Sequence, residues 1–525
     1  MSEVKDKLPL SPELRKQTPS EVISLLTELF AKVDSLTKRL KKSEARAEKA
    51  EARAEKAEAR VKELKERLQL TSKNSSKPPS SDPPRTKKSP HKNSKKKRKR
   101  GAQPGHKGHH RELLAPEEVD ETVTSKPDVC SDCGHSLLEI GSTNPERHQV
   151  VDIPPVKPHV TEYQIHHIKC PSCGCMNSGS PNVAVPKSRF GSGVMTMVAL
   201  CTGQYQLSKR LVVQMLQDFF SIFISLGSIS AMEHNVSKAL EQPVEEVSRY
   251  VTKQDIVNAD ETSMKQQNKR GWLWVFSTVA VSYFVLSLSR SGDVAKNVLG
   301  LNFAGIIYSD RYAGYSWVDP EKRQFCWAHL LRDFAKITLR GGRDEEYGNR
   351  LIKQTQQLFH LVHRVKDGTL SRAIFEHRVK QIRAEIEWIS GQAAQCVKTK
   401  KKPSTCECKK YGRECVTQKT ARTCKRLFKN KASLWVFLQF EHLELTNNAA
   451  ERALRRAVIY RKRSFGIDSE KGARFFERIM TTVTSLRAQN RHVLNYVRDT
   501  VDAHIAGRTP PSLLPLPSNP PEDTL

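Results

Sequence analysis

Three acidic residues stand where carboxylates could act together on a phosphate backbone. Asp260 ends the apolar run IVNAD, Asp310 closes the run FAGIIYSD, and Glu451 lies near the start of a predicted helix. Carboxylates bind Mg²⁺ (or Mn²⁺) well, and two such ions about 4 Å apart can activate a water and neutralise the charge that develops during phosphodiester cleavage. An acid after a strand is more often a solvated end or a cap, so composition and periodicity alone leave this triad open.

Four cysteines form two pairs that are typical of a zinc site. Cys130 and Cys133 make one CxxC pair, and Cys170 and Cys173 make the other. Each pair can give two thiolates to one tetrahedral ion, and four protein ligands leave no open position for catalysis. We therefore predict a structural Zn²⁺ ion here, with Cys175 as a spare that could replace Cys173. Chance pairs of thiols are the alternative.

A second group of cysteines lies in a lysine-rich stretch further along the chain. Its members are Cys396, Cys406, Cys408, Cys415 and Cys424. Their spacing matches no metal knuckle, so the sequence leaves a second metal ion open.

The charge balance predicts a polyanionic partner. Of 525 residues, 88 are Lys or Arg and 57 are Asp or Glu, which gives a net charge of +31. Nucleic acid is the usual partner of such a surplus, whereas a merely soluble basic protein, or one drawn to anionic membranes, is the alternative. The N-terminus lacks the apolar segment of a secretory signal, so reduced thiols or metal ligands are expected rather than disulfides.

The elements around the first two acids predict an α/β domain. The uncharged stretch from Trp272 to Ser289 is about long enough to cross a bilayer, but its composition and its polar break near Ser282 favour two buried strands joined tightly. A short helix with Asp293 and Lys296 is expected next, followed by another strand. Three strands, a helix and a fourth strand is the order of a ribonuclease-H-like fold, in which the first and fourth strands are neighbours.

The N-terminal half predicts association and DNA contact. Spacings of four and three run from Val22 to Leu68, and the heptad EARAEKA occurs at 44–50 and at 51–57. This pattern predicts a coiled coil that forms a homo-oligomer, with a lone charged helix as the alternative. Two helices, Gln204 to Phe220 and Ser228 to Leu240 after a break at Gly227, fit a helix-turn-helix or an ordinary helical hairpin.

An ordered series of motifs resembles the transposases of the insertion sequence 66 family, which are of the Asp-Asp-Glu type. It comprises SKNSSKPPSSD, GAQPGHKGHH, the paired CxxC knuckles, ADETS at 259–263, SDRYAGY at 309–315, CWAHLLRDF at 326–334, NNAAERALR at 447–455 and RKRSFGIDSEKGA at 461–473. The resemblance implies that the family's catalytic carboxylates fall on Asp260, Asp310 and Glu451. It also implies terminal inverted repeats and target DNA as substrates, accessory proteins of the same element as partners, no membrane association, and a bacterial cytoplasmic, nucleoid-associated location.

Basic residues near the third acid are expected to grip DNA, although a solvated basic face is the alternative for each of them. The candidates are Arg452, Arg455, Arg456, Arg461, Lys462 and His329. His329 forms a CxxH pair with Cys326, which could equally be a buried structural pair.

The predicted fold class is multidomain: a coiled coil, a small zinc-binding domain, a helical DNA-binding region, and an α/β ribonuclease-H-like catalytic domain with a helical insertion. The expected bounds are 1–70 for the coiled coil, 71–112 for a basic disordered linker, 113–182 for the zinc-binding domain, 183–250 for the helix-turn-helix-like region, 251–485 for the catalytic domain with its insertion at about 341–440, and 486–525 for a C-terminal helix and disordered tail. The predicted function is cleavage of element ends and joining of their 3′-hydroxyls to target DNA. A non-catalytic zinc-dependent DNA-binding protein and a structure-specific nuclease are the alternatives.

Overall fold

The structure is a computed structural model of the chain. It describes residues 11, 14, 17–69, 112–138, 146–180, 188–397, 408, 415–442, 444–464 and 466–515. The predicted basic linker lies outside these residues except for Glu112, and so does Cys406. The chain divides into two compact units. Unit one comprises Met1–Pro84, Asp255–Ala259 and Ala304–Asn448, and unit two comprises Arg85–Gln254, Asp260–Phe303 and Ala449–Leu525.

The first helix is long and carries an exposed apolar stripe. Helix α1 spans Ser20–Leu68, which is 49 residues. Its apolar side chains Val22, Leu36 and Leu64 are 46%, 60% and 43% exposed. A lone helix would leave this apolar stripe in water, which favours pairing with a second chain. The pairing itself stays a prediction.

Thirteen helices are labelled here in chain order, and most of them lie in the second half of the protein. After α1 they are α2 (Ser192–Ala199), α3 (Lys209–Phe220), α4 (Leu226–Ala239), α5 (Glu241–Val251), α6 (Gly292–Leu299), α7 (Trp327–Thr338), α8 (Gly342–Lys366), α9 (Arg372–Gln395), α10 (Gln418–Lys429), α11 (Asn448–Arg463), α12 (Glu470–Ala488) and α13 (Val493–Ile505).

The main sheet has five strands in the order β5-β4-β3-β6-β7. The strands are β3 (Ile256–Gln266), β4 (Lys269–Ser277), β5 (Ser282–Ser287), β6 (Ile306–Ser309) and β7 (Arg323–Phe325). Strand β3 pairs parallel with β6, and Asn258 lies opposite Tyr308. The prediction that the first and fourth strands are neighbours is therefore confirmed, whereas β7 was not predicted.

The uncharged stretch forms two buried strands, as predicted. Strands β4 and β5 pair antiparallel, with Trp272 opposite Ser287. The turn between them closes where the Thr278 N–H donates to the Val281 carbonyl at 2.8 Å. Among the described residues, no helix has the length and the apolar content needed to cross a membrane.

The strand that carries Asp260 is longer than predicted. Asp260 lies in the middle of β3, which runs from Ile256 to Gln266, so the prediction that it ends the strand is wrong. The strand continues to Gln266. Gln267 and Asn268, with positive φ angles of 49° and 57°, then turn the chain back into β4. The polar residues that follow Asp260 remain in the strand, because a two-residue hairpin turn needs turn-forming residues only at its tip.

The two predicted helices before the sheet have different starts in the structure: α3 begins later than predicted and α4 begins earlier. Helix α3 begins at Lys209, because the Ser208 hydroxyl caps it by accepting from the Leu211 N–H. A five-residue π-helical turn, Leu200–Gln204, precedes it. Gly227 is not a break, since it lies inside the first turn of α4, and Ser221 with φ 52° ends α3 instead.

The zinc-binding region contains one short ladder in its described part. Strand β1 (His167–Lys169) pairs antiparallel with β2 (Met176–Ser178), and Val129 and Ser136 form an isolated bridge. The alternation of residues 150–170 predicts strands, but residues 150–166 form none. Pro154, Pro155 and Pro158 explain this difference, because proline has no N–H to donate to a ladder.

Each unit has its own apolar core. In unit one, α7 to α10 pack around Trp327, Phe334 and Phe375. Helices α8, α9 and α10 of this bundle lie within residues 341–440, where the sequence predicts a largely helical insertion, whereas α7 precedes that range. In unit two, residues of β3, β4 and β5 pack against α11 and α12, with Phe284 and Phe476 among the buried side chains.

The tail is ordered for longer than predicted. Leu513 is fully buried, and the Tyr496 hydroxyl donates to the Pro511 carbonyl at 2.7 Å. Arg491 donates to the carbonyls of Ser512 and Leu514 at 3.1 and 3.2 Å. The predicted disorder after Arg508 is therefore wrong for residues 509–515, because these contacts fix the proline-rich segment.

Candidate active site and metal centres

The two neighbouring acids on β3 have different surroundings. The side chain of Glu261 is 1% exposed and pairs with Arg290 at 2.7 Å. Asp260 is half-buried, and its Oδ1 accepts from the Glu261 N–H at 2.9 Å. Successive strand residues point to opposite faces. The charge of Glu261 is offset by Arg290, which makes this side chain a poor candidate for a metal ligand.

The loop after β6 fixes Asp310. Its Oδ1 accepts from the Tyr312 N–H at 2.8 Å, which forms a short local turn. Arg323 of β7 is 5% exposed, and it donates to the carbonyls of Asp310 and Tyr312, both at 2.8 Å. It also donates to the Ser309 hydroxyl at 3.0 Å. A buried guanidinium with this many acceptors holds the loop in a single conformation.

Asp310 opens onto a cavity with cationic walls. The cavity has a volume of about 640 Å³, and its lining includes Asp310, Arg323, His329, Arg426 and Lys429. Arg426 and Lys429 belong to α10 and are exposed. A carboxylate beside several cations suits a phosphate that is held next to a carboxylate-bound metal ion.

A second acid in the cavity is neutralised. Asp333 accepts from Arg311 and from Lys336, the latter at 3.1 Å. Burial would raise the pKa of Asp333, but the charges and hydrogen bonds of Arg311 and Lys336 outweigh it and lower the pKa below its ordinary value. Asp333 therefore anchors Arg311 beside Asp310.

The segment that leads into α11 is tied to the sheet by Asn447. Its side-chain amide donates to the Ala259 carbonyl at 2.8 Å, and its backbone N–H donates to Cys326 Sγ at 3.2 Å. Cys326 is fully buried, and its own N–H donates to the Ser309 carbonyl at 2.9 Å. In the CxxH pair, Cys326 thus has a structural place, whereas His329 lines the cavity.

Glu451 and the predicted DNA-contacting residues other than His329 lie on α11, whereas His329 lies on α7. Glu451 is in the first turn of this helix, and Arg452 and Arg455 are exposed. Arg461 instead donates to Thr262 Oγ1 at 3.0 Å and to the Ser263 carbonyl at 2.7 Å. Burial lowers the pKa of its guanidinium. Arg461 therefore holds α11 against β3 directly beyond Asp260.

Two more of the predicted DNA-contacting residues differ in exposure. Arg456 is half-buried, and its backbone carbonyl accepts from the Gln206 side chain at 3.1 Å. Lys462 is exposed.

The two cysteine pairs adopt the same turn. The Cys130 N–H donates to the His135 carbonyl and the Cys170 N–H donates to the Cys175 carbonyl, both at 2.8 Å. The glycine after each pair, Gly134 or Gly174, has a φ angle of 70° or 72°. Both turns thus repeat one geometry around their cysteines.

The knuckles favour metal-binding thiolates. Backbone N–H groups of Cys133 and Asp132 lower the pKa of Cys130, and those of Cys173 and Ser172 lower the pKa of Cys170. A lowered thiol pKa suits a Zn²⁺ ligand. No disulfide joins the described cysteines. No three of Cys130, Cys133, Cys170 and Cys173 have their sulfur atoms within 4.8 Å of one another, so a zinc site shared by both pairs stays a prediction.

Two residues that hold the candidate site in place carry no sign of this role in the sequence. Arg323 lines the cavity but lies in the run EKRQF, which matches no motif, whereas Asn447 ties the start of α11 to the sheet and its residue type predicts only a helix cap. Both act through backbone carbonyls that are brought near by the sheet. No signal in the sequence alone marks such contacts.

Family models match most of the chain. The model described as "Transposase IS66 family" matches residues 187–475, which is more than half of the chain. The model described as a zinc-finger binding domain of transposase IS66 matches residues 127–174, and a family of unknown function matches residues 8–112. The chain therefore belongs to the IS66 transposase family and carries its zinc-finger domain.

Three curated relatives come from Sinorhizobium fredii, and all are named as uncharacterized. Protein y4qI is 23% identical over 273 residues, 47% of this chain and 47% of the relative, so the match spans about half of its length. Protein y4hP is 20% identical over 70% of this chain and 69% of the relative. Protein y4jD is 21% identical over 74% of this chain and 77% of the relative.

Proposed function

We propose that this protein is a DNA transposase that cleaves the ends of its element and joins the 3′-hydroxyls to target DNA, with Asp260, Asp310 and Glu451 as the metal-binding carboxylates. The observation that carries the proposal is the pairing of β3 with β6. This register, continued one residue beyond the Asn258–Tyr308 pair, would set Ala259 opposite Ser309, and these two residues directly precede Asp260 and Asp310 in the chain.

The third carboxylate is supported by the contacts of Asn447. Asn447 donates to the carbonyl of Ala259, the residue directly before Asp260. Glu451 follows Asn447 by four residues and lies in the first turn of α11. About one helical turn thus separates Glu451 from a residue that is fixed beside Asp260.

The donor set fits divalent cations with a preference for oxygen. Such ions, when bound, stabilise the charge of the phosphorane-like transition state and lower the pKa of a bound water. The protein's own residues would do the rest. Arg323 holds the Asp310 loop in place, and Arg426 and Lys429 offer cations to the DNA phosphates that enter the cavity.

The remaining roles are proposed on the same basis. Arg452, Arg455, Arg456, Lys462 and His329 would contact DNA near the scissile bond. The zinc-finger domain and the region of α3 and α4 would hold the inverted repeats. We propose that α1 pairs two subunits so that two element ends meet. Transposition would take place on chromosomal DNA in the cytoplasm, with accessory proteins of the element as further partners.

The test is strand transfer by the purified full-length protein on labelled element ends, with and without Mg²⁺. We expect Asp310→Asn, Asp260→Asn and Glu451→Gln each to reduce joining on the order of a thousandfold, because each change removes a ligand that neutralises transition-state charge. Asp499→Asn, which removes an exposed acid on α13, is the matched control and should leave joining unchanged.

The outcomes separate the alternatives. Cleavage without joining would favour a structure-specific nuclease. End-cleavage that survives Asp260→Asn in Mg²⁺ would favour a non-catalytic DNA-binding protein, with the cleavage supplied by a contaminant.

A further inference from the structure

Three thiols from separate parts of the insertion meet in unit one. Cys396 directly follows α9, Cys415 lies shortly before α10, and Cys408 lies between them in the sequence. Their sulfur atoms are all within 4.8 Å of one another, and the Sγ atoms of Cys396 and Cys408 are 3.7 Å apart. Cys396 is buried and the other two are half-buried.

The separation of the sulfurs fits a shared metal ion better than a disulfide. A disulfide bond would bring two sulfurs to about 2.05 Å. Zinc–thiolate bonds of about 2.3 Å place the sulfurs of one tetrahedral ion about 3.8 Å apart. The 3.7 Å between Cys396 and Cys408 is close to that edge length.

A neighbouring cation can balance the negative charge of the thiolates. Arg343, in the first turn of α8, donates to Cys408 Sγ at 3.1 Å, and it also donates to the Tyr347 hydroxyl at 2.8 Å. Three thiolates around a divalent ion carry one net negative charge. A guanidinium that donates to one sulfur offsets this charge and orients the ligand.

Hydrogen bonds that need no metal hold the cysteine-bearing segments together. The Gln418 side chain donates to the Cys396 carbonyl at 2.8 Å. The Thr417 N–H, two residues after Cys415, donates to Asp344 at 3.1 Å, and Asp344 is 3% exposed. The ligands are thus preorganised, which lowers the entropic cost of binding an ion.

We propose that Cys396, Cys408 and Cys415 supply three ligands of a second Zn²⁺ ion, distinct from the ion of the zinc-finger domain. Thiolates are soft ligands that favour zinc over the hard cations of a carboxylate site. The ion joins the end of α9 to the start of α10. Since α10 carries Arg426 and Lys429, the site also fixes the cationic wall of the Asp310 cavity.

The test is the zinc content of the full-length protein, purified under reducing conditions and measured by plasma mass spectrometry. Wild type should contain two zinc ions per chain. Cys396→Ser with Cys415→Ser should contain one, and Cys130→Ser with Cys133→Ser should also contain one. Cys424→Ser is the matched control, because this buried insertion cysteine is outside the cluster, and it should retain two.

Two further measurements keep the result decisive. If the double variant fails to fold, the half-buried Cys408→Ser replaces it, and zinc transfer to a colorimetric chelator should then be tenfold to a hundredfold faster than in wild type. Wild type with a single zinc ion, lost only from the Cys130 and Cys133 variant, would overturn the proposal. So would an intact mass that has lost two hydrogens to a Cys396–Cys408 disulfide.

Discussion

The knuckle region (residues 127–178) and the helical insertion (residues 341–440) both gather cysteines, but they are built in opposite ways. The knuckle region has large apolar side chains that are exposed to water: Ile168 and Met176, on β1 and β2, are 66% and 64% exposed. In the insertion, Phe375 and Ile389 are fully buried. From this difference we predict that the knuckle region depends on bound metal for its stability, whereas the insertion already has an apolar core.

The largest expected effect is the loss of structure in the knuckle region when zinc is removed. Cys130→Ser with Cys133→Ser should unfold residues 127–178, because a structural zinc ion supplies roughly 10–16 kcal/mol of folding free energy and little core replaces it. Hydrogen exchange of the full chain should show complete loss of protection there and none in α8 or α9. Ser131→Ala, which keeps the thiols, is the control; protection that persists in the cysteine variant would end the comparison.

A smaller loss of stability is expected when a side chain in the core of the insertion is truncated. Phe375→Ala should lower the free energy of unfolding by about 3–5 kcal/mol, because it leaves a cavity among buried side chains. Urea denaturation measures this change. Phe219→Ala removes a ring that is 71% exposed and should change stability by only about 0.5 kcal/mol. Equal effects of the two substitutions would show that the insertion is not held by its core.

The sheet of unit two offers a third test, because it buries a titratable group. Glu477 of α12 accepts from the Leu286 N–H of β5, and burial raises its pKa to about 7 against the opposing charge of Arg474. The folded protein then binds a proton that the unfolded chain has released. Stability should therefore fall by about 3 kcal/mol as pH rises from the ordinary value of 4.5 to about 7.

Glu477→Gln should remove that slope from denaturation curves measured across this pH range. The neighbouring Glu470→Gln, an exposed acid in the first turn of the same helix, should leave it in place. A slope of unchanged size in the Glu477 variant would assign the pH dependence to other groups.

The smallest effect in free energy is expected at Arg323. Arg323→Lys keeps the charge but loses the forked geometry that joins Asp310 and Tyr312. Joining should fall tenfold to a hundredfold, and the Mg²⁺ concentration for half-maximal activity should rise, since the loop no longer holds Asp310 in place. Arg249→Lys on α5 is the control. An activity loss with an unchanged Mg²⁺ requirement would mean that Arg323 only stabilises the fold.

Features that depend on neighbours in the chain could be predicted from the amino-acid sequence. The CxxC pairs indicated the knuckles because their geometry is made by turns of a few residues. Alternating and periodic apolar residues indicated β4, β5 and the insertion helices, because burial of one face leaves a direct mark on composition. The ordered motifs indicated the family, and they gave Asp260, Asp310 and Glu451 as its acids.

Contacts between residues that are distant in the chain are seen in the tertiary structure and could not be predicted from the sequence. The pairing of Glu261 with Arg290, the support that Arg323 gives to the Asp310 loop, and the contact from Asn447 to Ala259 join residues that are 13 to 188 positions apart. The same holds for Cys396, Cys408 and Cys415, whose spacing matches no motif. Such contacts arise when strands and helices pack, and packing selects partners by shape and charge in space. A linear pattern does not record that choice.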